Sequence, residues 1–574
     1  MLLLSACGGN KEGAVPEGWA AAPEAGLAGD AAWEEAPAEE GSQQQASAEE
    51  LSAATEALAD GAEGAFPGLA KDAAAELSAQ RLYEGYGEGG TAHWGFDTEE
   101  YNALEESGFR MVSVNPLSTF SADVDTASYS NVRRMISDGY GVEEIPEGAV
   151  RIEEMLNYFS YEYAAPKKGE PFGVTVHIAD CPWNENGKLM QLGLQTEALN
   201  LSEAPESNLV FLIDVSGSMD SEDKLGLLQR AFLLLTEQLT AKDRVSIITY
   251  AGDERVVLEG ARGDEKEEIA AAVEGLFASG STNGSAAILR AYELAGEYYI
   301  KGGNNRIILA TDGDLNVGIT DESSLKELVE EKRQEGIFLS VMGFGTGNIK
   351  DNKMETLADN GNGNYTYIDS YGEAKKVLVE ELGANFVTVA KDVKFQVEFN
   401  PAAVTAYRLL GYENRSLAEE DFADDKKDAG EIGAGHSVTV LYELITADSD
   451  GEPPIRELPG LKYGSGEVVE EIVTKEDVMK EEWLTISVRY KEPEEDSSKL
   501  LSYPVSGSSY RKKMHEDMRF AAAVAEFGMV IRDSEYKGSS SFDSILKLLE
   551  ECDLSGDEYK EEFYYLVKKL MRNS

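Results

Sequence analysis

Between Leu209 and about Leu382, short uninterrupted apolar runs alternate with longer segments whose apolar residues recur at helical spacing. The runs LVFLIDV, RVSIITYA, RVVLEG, RIILATDG, FLSVMGFG and NYTYID predict strands, and the runs without polar alternation predict strands buried on both faces. Between the first two, DKLGLLQRAFLLLTEQL puts Leu225, Leu228, Phe232, Leu235 and Leu239 on one stripe, which predicts an amphipathic helix capped by Asp223 or Ser221. Alternation of this kind predicts βαβ units and a mainly parallel sheet. RVVLEG is the exception: the connection GDE (252–254) is too short for a crossover, so this strand pairs antiparallel with RVSIITYA.

On either side of this unit the period changes to two. FGVTVHIA (172–179) and KLMQLGLQT (188–196) precede it, and DVKFQVEFN, VTAYRLLGYEN, HSVTVLYELI and WLTISVRYK follow it. These alternating segments predict one β-sandwich, split into residues 170–204 and 388–495 by an α/β domain inserted at 205–385. Residues 109–165 carry two short helical patterns, the second with Val150, Met155, Leu156 and Phe159 near one face. Residues 510–574 are helical again, ending on a face of Tyr559, Phe563, Leu566, Val567 and Leu570. The expected fold class is α/β: a Rossmann-like domain, with a central mainly parallel sheet flanked by helices, inserted in a β-sandwich with additional helical segments.

Residues 8–108 lack lasting periodicity. They are rich in Ala, Glu and Gly, the composition of a disordered tether. Ahead of them, Leu4-Ser5-Ala6-Cys7 resembles the lipobox of bacterial lipoproteins, which implies acylation of Cys7 and a lipid anchor on the extracytoplasmic face of the cell membrane. Residues 1–7 read as a truncated signal segment, because Leu2 to Leu4 fall short of the roughly 7 to 15 apolar residues of a full one. No other apolar run approaches the roughly 18 residues of a membrane span, so the expected anchor is lipid.

Charge narrows the partners. With 51 Lys+Arg against 107 Asp+Glu the net charge is -56, which repels nucleic-acid phosphates and anionic surfaces and excludes nucleic acid as a partner. Cys7, Cys181 and Cys552 are too few and too scattered for a zinc site, and Cys181 and Cys552 either pair or stay free. The four histidines lie far apart in sequence, so any metal is expected on oxygen.

Oxygen ligands are at hand. Asp214, Ser216 and Ser218 form D-x-S-x-S at the end of the first apolar strand, Thr282 sits in the loop ASGSTNGSA before a helix, and Asp312 ends RIILATD. Parallel strands finish on one edge of their sheet, so these five side chains converge there. Two carboxylates and three hydroxyls suit a hard divalent ion, Mg²⁺ (or Mn²⁺). Two carboxylates only neutralise it, leaving a position for an incoming acid.

This order of motifs resembles the metal-ion-dependent adhesion site of von Willebrand factor type A domains, over residues 205–382. The flanks, among them ADVDTASYSNVRRMI, RIEEMLNYF, FNPAAVTAYRLLGYENR and RFAAAVAEFG, resemble bacterial surface lipoproteins that carry this domain between an amino-terminal associated region and a carboxy-terminal domain of unknown function. The resemblance implies a non-enzymatic binding module whose protein ligand supplies an Asp or Glu to the metal. Two other readings compete with it. Asp123-Val124-Asp125-Thr126 matches the D-x-D-x-T of haloacid-dehalogenase-type phosphatases, but LSTFSA is a poor version of the apolar strand that should lead into it. The other is an envelope scaffold in which the metal is purely structural.

Overall fold

The computed structural model describes residues 99–122, 125–198, 204–251, 253–280, 287–313, 322–449, 478–493 and 495–574. In chain order its strands are β1 (Arg110–Met111), β2 (Leu117–Ser121), β3 (Phe172–Asp180), β4 (Lys188–Thr196), β5 (Ser207–Asp214), β6 (Arg244–Ala251), β7 (Asp253–Arg262) and β8 (Asn304–Thr311). These are followed by β9 (Ile337–Phe344), β10 (Tyr365–Ile368), β11 (Thr388–Phe399), β12 (Val404–Leu410), β13 (Gly430–Gly433), β14 (Ser437–Thr446), β15 (Glu482–Lys491) and β16 (Lys499–Ser506).

The α/β domain is built on the sheet β10-β9-β8-β5-β6-β7, parallel throughout except for β7, which starts at Asp253, too soon after Ala251 for a crossover, and pairs antiparallel with β6. Successive residues of each central strand feed opposite cores. Phe211, Ile213 and Ile308 meet Leu228, Phe232 and Leu235 of helix Leu225–Gln238 on one face. Val210, Leu212 and Leu309 meet Ala291 and Leu294 of helix Ala287–Glu297, with Val329 of helix Glu322–Gln334, on the other. Burial on both faces is why these strands read as continuous apolar runs. Helix Leu225–Gln238 is not capped by Asp223 or Ser221: Lys224 takes the N-cap position, where an ammonium has no lone pair to accept a backbone N–H, and its side chain pairs with Asp312 instead.

Two further sheets, β1-β12-β14-β4-β3 and β13-β11-β15-β16 with β2 pairing β11, close on one core in which Leu192, Val440 and Tyr442 face Phe395, Val397, Ile486 and Val488. Strands from before and after the inserted domain meet directly, as β4 pairs β14. Beyond the six alternating segments the sandwich holds β1, β2, β13 and β16. β1 and β2 come from residues 109–165, where only helices are expected. LSTFS escapes the period-two pattern because its buried hydroxyls are bonded. Ser118 Oγ accepts from the Tyr442 hydroxyl at 2.9 Å, Thr119 Oγ1 from Gln396 Nε2 at 3.0 Å, and Ser121 Oγ from the Gly430 amide at 2.8 Å.

The helices of residues 109–165 and 510–574 are not separate layers. Ala127–Ser137 and Ile152–Asn157 pack with Glu516–Ile531, Phe542–Glu550 and Glu558–Asn573 around one aromatic core, where Phe159 lies 4.9 Å from Phe520 and 5.4 Å from Phe563. The same core takes in Leu189 and Leu441, so it covers the outer face of the sandwich sheet carrying β4 and β14. Residues 99–108, assigned by composition to the tether, are fastened to the fold. Glu99 pairs with Arg134 at 2.8 Å, the Glu100 amide donates to Ile349 O at 2.9 Å, and Glu106 pairs with Arg408 at 3.2 Å. Cys181 and Cys552 are free thiols. No described helix is long and apolar enough to cross a membrane.

Candidate metal centre

β5 runs into Asp214 while its parallel neighbour β8 ends at Thr311, with Ile213 in register with Ala310. Asp214 and Asp312 therefore emerge side by side at one edge of the sheet. Asp214 Oδ1 accepts from the Ser216 amide at 2.8 Å and Oδ2 from the Thr311 hydroxyl at 3.3 Å. The first of these bonds folds the chain back into the helical turn Gly217–Met219, which brings the hydroxyls of Ser216 and Ser218 to 2.9 Å of each other. Ser216 is buried and Ser218 exposed, so the group opens to solvent on the Ser218 side.

Thr282 lies outside the described residues. The chain leading to it is held against the same turn: the Gly217 amide donates to Gly280 O at 3.1 Å and the Ser279 amide to Val215 O at 2.7 Å. Gly280 has φ +84°, and a Cβ there would lie 2.9 Å from Ala251 O, so this approach requires glycine.

Asp312 is buried, with Oδ2 receiving the Lys224 ammonium at 2.9 Å and Oδ1 without a hydrogen-bond partner among the described residues. Lys224 was not among the residues expected here. A lone lysine ahead of an apolar helix gives no signal in sequence; what seats it is Gly345, at φ +72°, where a Cβ would fall 2.2 Å from Lys224 Cγ. Burial pushes the Asp214 carboxyl up to about 6, and the Asp312 charge adds to it against the bonds from Ser216 and Thr311. An all-oxygen donor set, with two buried carboxylates and one buried oxygen unsatisfied among the described residues, fits a hard divalent cation, whose charge would hold Asp214 ionised.

Asp243 and Asp125 are otherwise employed. Asp243 accepts from the Ser207 amide at 2.8 Å and the Thr240 amide at 2.7 Å, tying off a loop. Of the phosphatase-like pair, Asp123 lies outside the described residues. Asp125 accepts from the Tyr365 amide at 2.8 Å and from Arg415 at 3.0 Å. Asp125, Glu154 and Glu355 bring carboxylate oxygens within 4.8 Å of one another. Their counter-charges are already in place: Arg415 also bonds Glu355 at 3.1 Å, and Arg151 bonds Glu154 at 3.2 Å. This cluster joins the α/β domain to its flanks.

The family description "von Willebrand factor type A domain" matches residues 208–380, "von Willebrand factor" matches residues 95–191, and "Uncharacterized protein YfbK, C-terminal" matches residues 384–572. The chain is 41% identical over 480 residues to protein YfbK of Escherichia coli (strain K12), an alignment that covers 82% of this chain and 81% of that protein. Inter-alpha-trypsin inhibitor heavy chain H4 of Homo sapiens is 31% identical over 163 residues, 27% of this chain and 17% of that protein. A solved von Willebrand factor type A structure from Catenulispora acidiphila covers 71% of this chain and 91% of its own at 14% identity, with a TM-score of 0.41. Von Willebrand factor type A domains commonly bind protein partners, often with a divalent metal. By its domain matches and by this degree of identity over most of both chains, the protein belongs to the YfbK family of von Willebrand factor type A domain proteins.

Proposed function

We propose that this chain is a lipid-anchored binding protein whose α/β domain holds Mg²⁺ (or Mn²⁺) on Asp214, Ser216, Ser218, Thr282 and Asp312 and presents it to an Asp or Glu of a protein partner. The observation that carries the reading is the pair of buried carboxylates ending adjacent parallel strands, with two hydroxyls beside them and the Asp312 Oδ1 oxygen unsatisfied among the described residues. A metal held by two carboxylates keeps no excess negative charge, so a third carboxylate is its natural further ligand. The reading is one of binding rather than catalysis: among the described residues, the hydroxyls of Ser216 and Ser218 bond to each other and to no histidine or glutamate that could activate them. Acylation at Cys7 would fix the molecule to the extracytoplasmic face of the membrane, at the end of the Ala/Glu/Gly-rich segment.

The experiment is a calorimetric titration of Mg²⁺ and Mn²⁺ into the full chain beside the double variant Ser216→Ala, Ser218→Ala. Saturable binding in the parent and none in the folded variant is the expected result. A folded parent that takes up neither ion, or a variant that binds as the parent does, would sink the metal reading. Detergent partitioning of the chain made with and without Cys7→Ser tests the anchor separately.

A further inference from the structure

β3 ends its sheet, and the connection after β16 covers its outer edge: Tyr510 bridges to Ile178, and the Arg511 amide donates to Ile178 O at 2.8 Å. Between them lies a cavity of about 510 Å³ whose polar wall is His177, Ser508, Ser509, Arg511, Lys513 and His515. The apolar wall is Val176, Ile178 and Met518. A net charge of -56 makes a concentration of cationic groups around one cavity unusual in this chain. Among the described residues neither Arg511 nor Lys513 forms an ion pair; Arg511 Nη1 spends its protons on the carbonyls of Ser508 and Tyr510, at 2.5 and 2.8 Å, and Arg511 lines the cavity.

The imidazoles of His177 and His515 stack at 4.2 Å and 6°. The acids nearby are Asp517, whose Oδ2 lies 3.6 Å from His515 Nδ1, Glu516, which accepts from the Asp553 amide at 2.5 Å, and Asp180, which is occupied by Lys188 at 2.8 Å and the Tyr510 hydroxyl at 3.0 Å. Burial holds His177 below the usual histidine range, with the His515 charge adding and Asp517 opposing. Stacked imidazoles resist being charged together unless an anion lies against them.

We propose that this cavity binds an organic phosphate, its phosphate group held by Arg511, Lys513, the two imidazoles and the hydroxyls of Ser508 and Ser509, its uncharged remainder lying on Val176, Ile178 and Met518. The donors outnumber what a carboxylate can accept, and they are of the kinds that grip phosphate oxygens. The volume lies in the range of small-molecule sites, roughly 300–1,000 Å³, so the anion comes with a substituent. The same group could belong to a soluble ester or a lipid headgroup; the overall negative charge opposes approach to an anionic bilayer and favours the soluble ester. The site is separate from the metal centre and stands or falls without it.

The test is calorimetry with glycerol phosphate and inorganic phosphate on the full chain, without metal, beside Lys513→Ala and the double variant Arg511→Ala, Lys513→Ala, with circular dichroism to confirm folding. Saturable binding of glycerol phosphate is expected, about threefold weaker in the single variant and at least about tenfold weaker in the double. Sulfate keeps its charge between pH 6 and 8, so its binding should tighten toward pH 6 as His177 gains a proton. Flotation with phosphatidylglycerol vesicles, against phosphatidylcholine alone, separates the sources. Vesicle binding displaced by glycerol phosphate assigns a headgroup, and glycerol phosphate binding without flotation assigns a soluble ester. No saturable binding at pH 6, binding unchanged in the folded double variant, or flotation that glycerol phosphate does not displace would overturn the proposal.

Discussion

At the scale of single residues, Asp214 and Asp312 sit where strand ends must put them, but the charge between them is decided by Lys224. Its ammonium, 2.9 Å from Asp312 Oδ2, is a cation of the protein's own at a carboxylate proposed for a metal. Lys224→Met should therefore raise Mg²⁺ affinity about tenfold, equivalent to about 1.4 kcal/mol, with Lys224→Arg close to the parent by calorimetry. Weaker Mg²⁺ binding in Lys224→Met would make the lysine a support of the site instead of a competitor. Asp214, Ser216 and Ser218 were legible because their placement is local, a turn two residues past a strand. Lys224 was not, because its direction depends on Gly345, more than a hundred residues away.

At the scale of elements, arginines bolt the flanking regions to the inserted domain. Arg133 of helix Ala127–Ser137 pairs with Asp369 at 2.5 Å and Glu373 at 2.7 Å, and Arg151 pairs with Asp351 at 2.5 Å. Arg415 holds Asp125, Glu355 and Asp359 at 3.0, 3.1 and 2.6 Å. Removing one partner of a buried ionic group strands the others. Arg415→Met should cost about 3–5 kcal/mol in urea unfolding, while Lys427→Met, which loses a partly exposed pair with Asp421 at 3.7 Å, should stay within about 1 kcal/mol. A loss below about 1 kcal/mol for Arg415→Met would show that water reaches the cluster. Asp125 and Arg415 stand 290 residues apart, so no sequence pattern could join them, and the D-x-D-x-T around Asp125 gave no sign of an ion pair. β2 was obscure for a related reason: its polar residues are buried because distant strands supply their bonds.

At the scale of the whole molecule, buried acids set the pH response. Burial, with the charges of Glu413 and Glu154, pushes the Glu153 carboxyl up to about 8, from an ordinary value of 4.5. Burial pushes Glu526 up to about 7, against a bond from Ser544. Between 4.5 and these values the folded chain holds protons that the unfolded chain has released, so stability falls as pH rises. Their contribution is complete below 4.5 and is lost as pH rises through about 7 and 8. The melting temperature should be higher at pH 6 than at pH 8.5, and Glu153→Gln with Glu526→Gln should flatten that slope. A parent that melts higher at pH 8.5, or a slope unchanged in the double variant, contradicts the assignment.

The sequence by itself determined what depends on near neighbours: the apolar runs of the parallel sheet, the antiparallel β7, the period-two strands of the sandwich, and the order of Asp214, Ser216, Ser218 and Asp312 along the strand ends. Steric and hydrophobic patterning over a few residues suffices for each of these. Only the tertiary structure decided that β1 and β2 complete the sandwich, that helices from the two ends of the fold share one core, and which cations answer the buried acids. Those choices rest on burial and charge pairing between segments hundreds of residues apart, where a residue's free energy depends on what the rest of the chain brings to it.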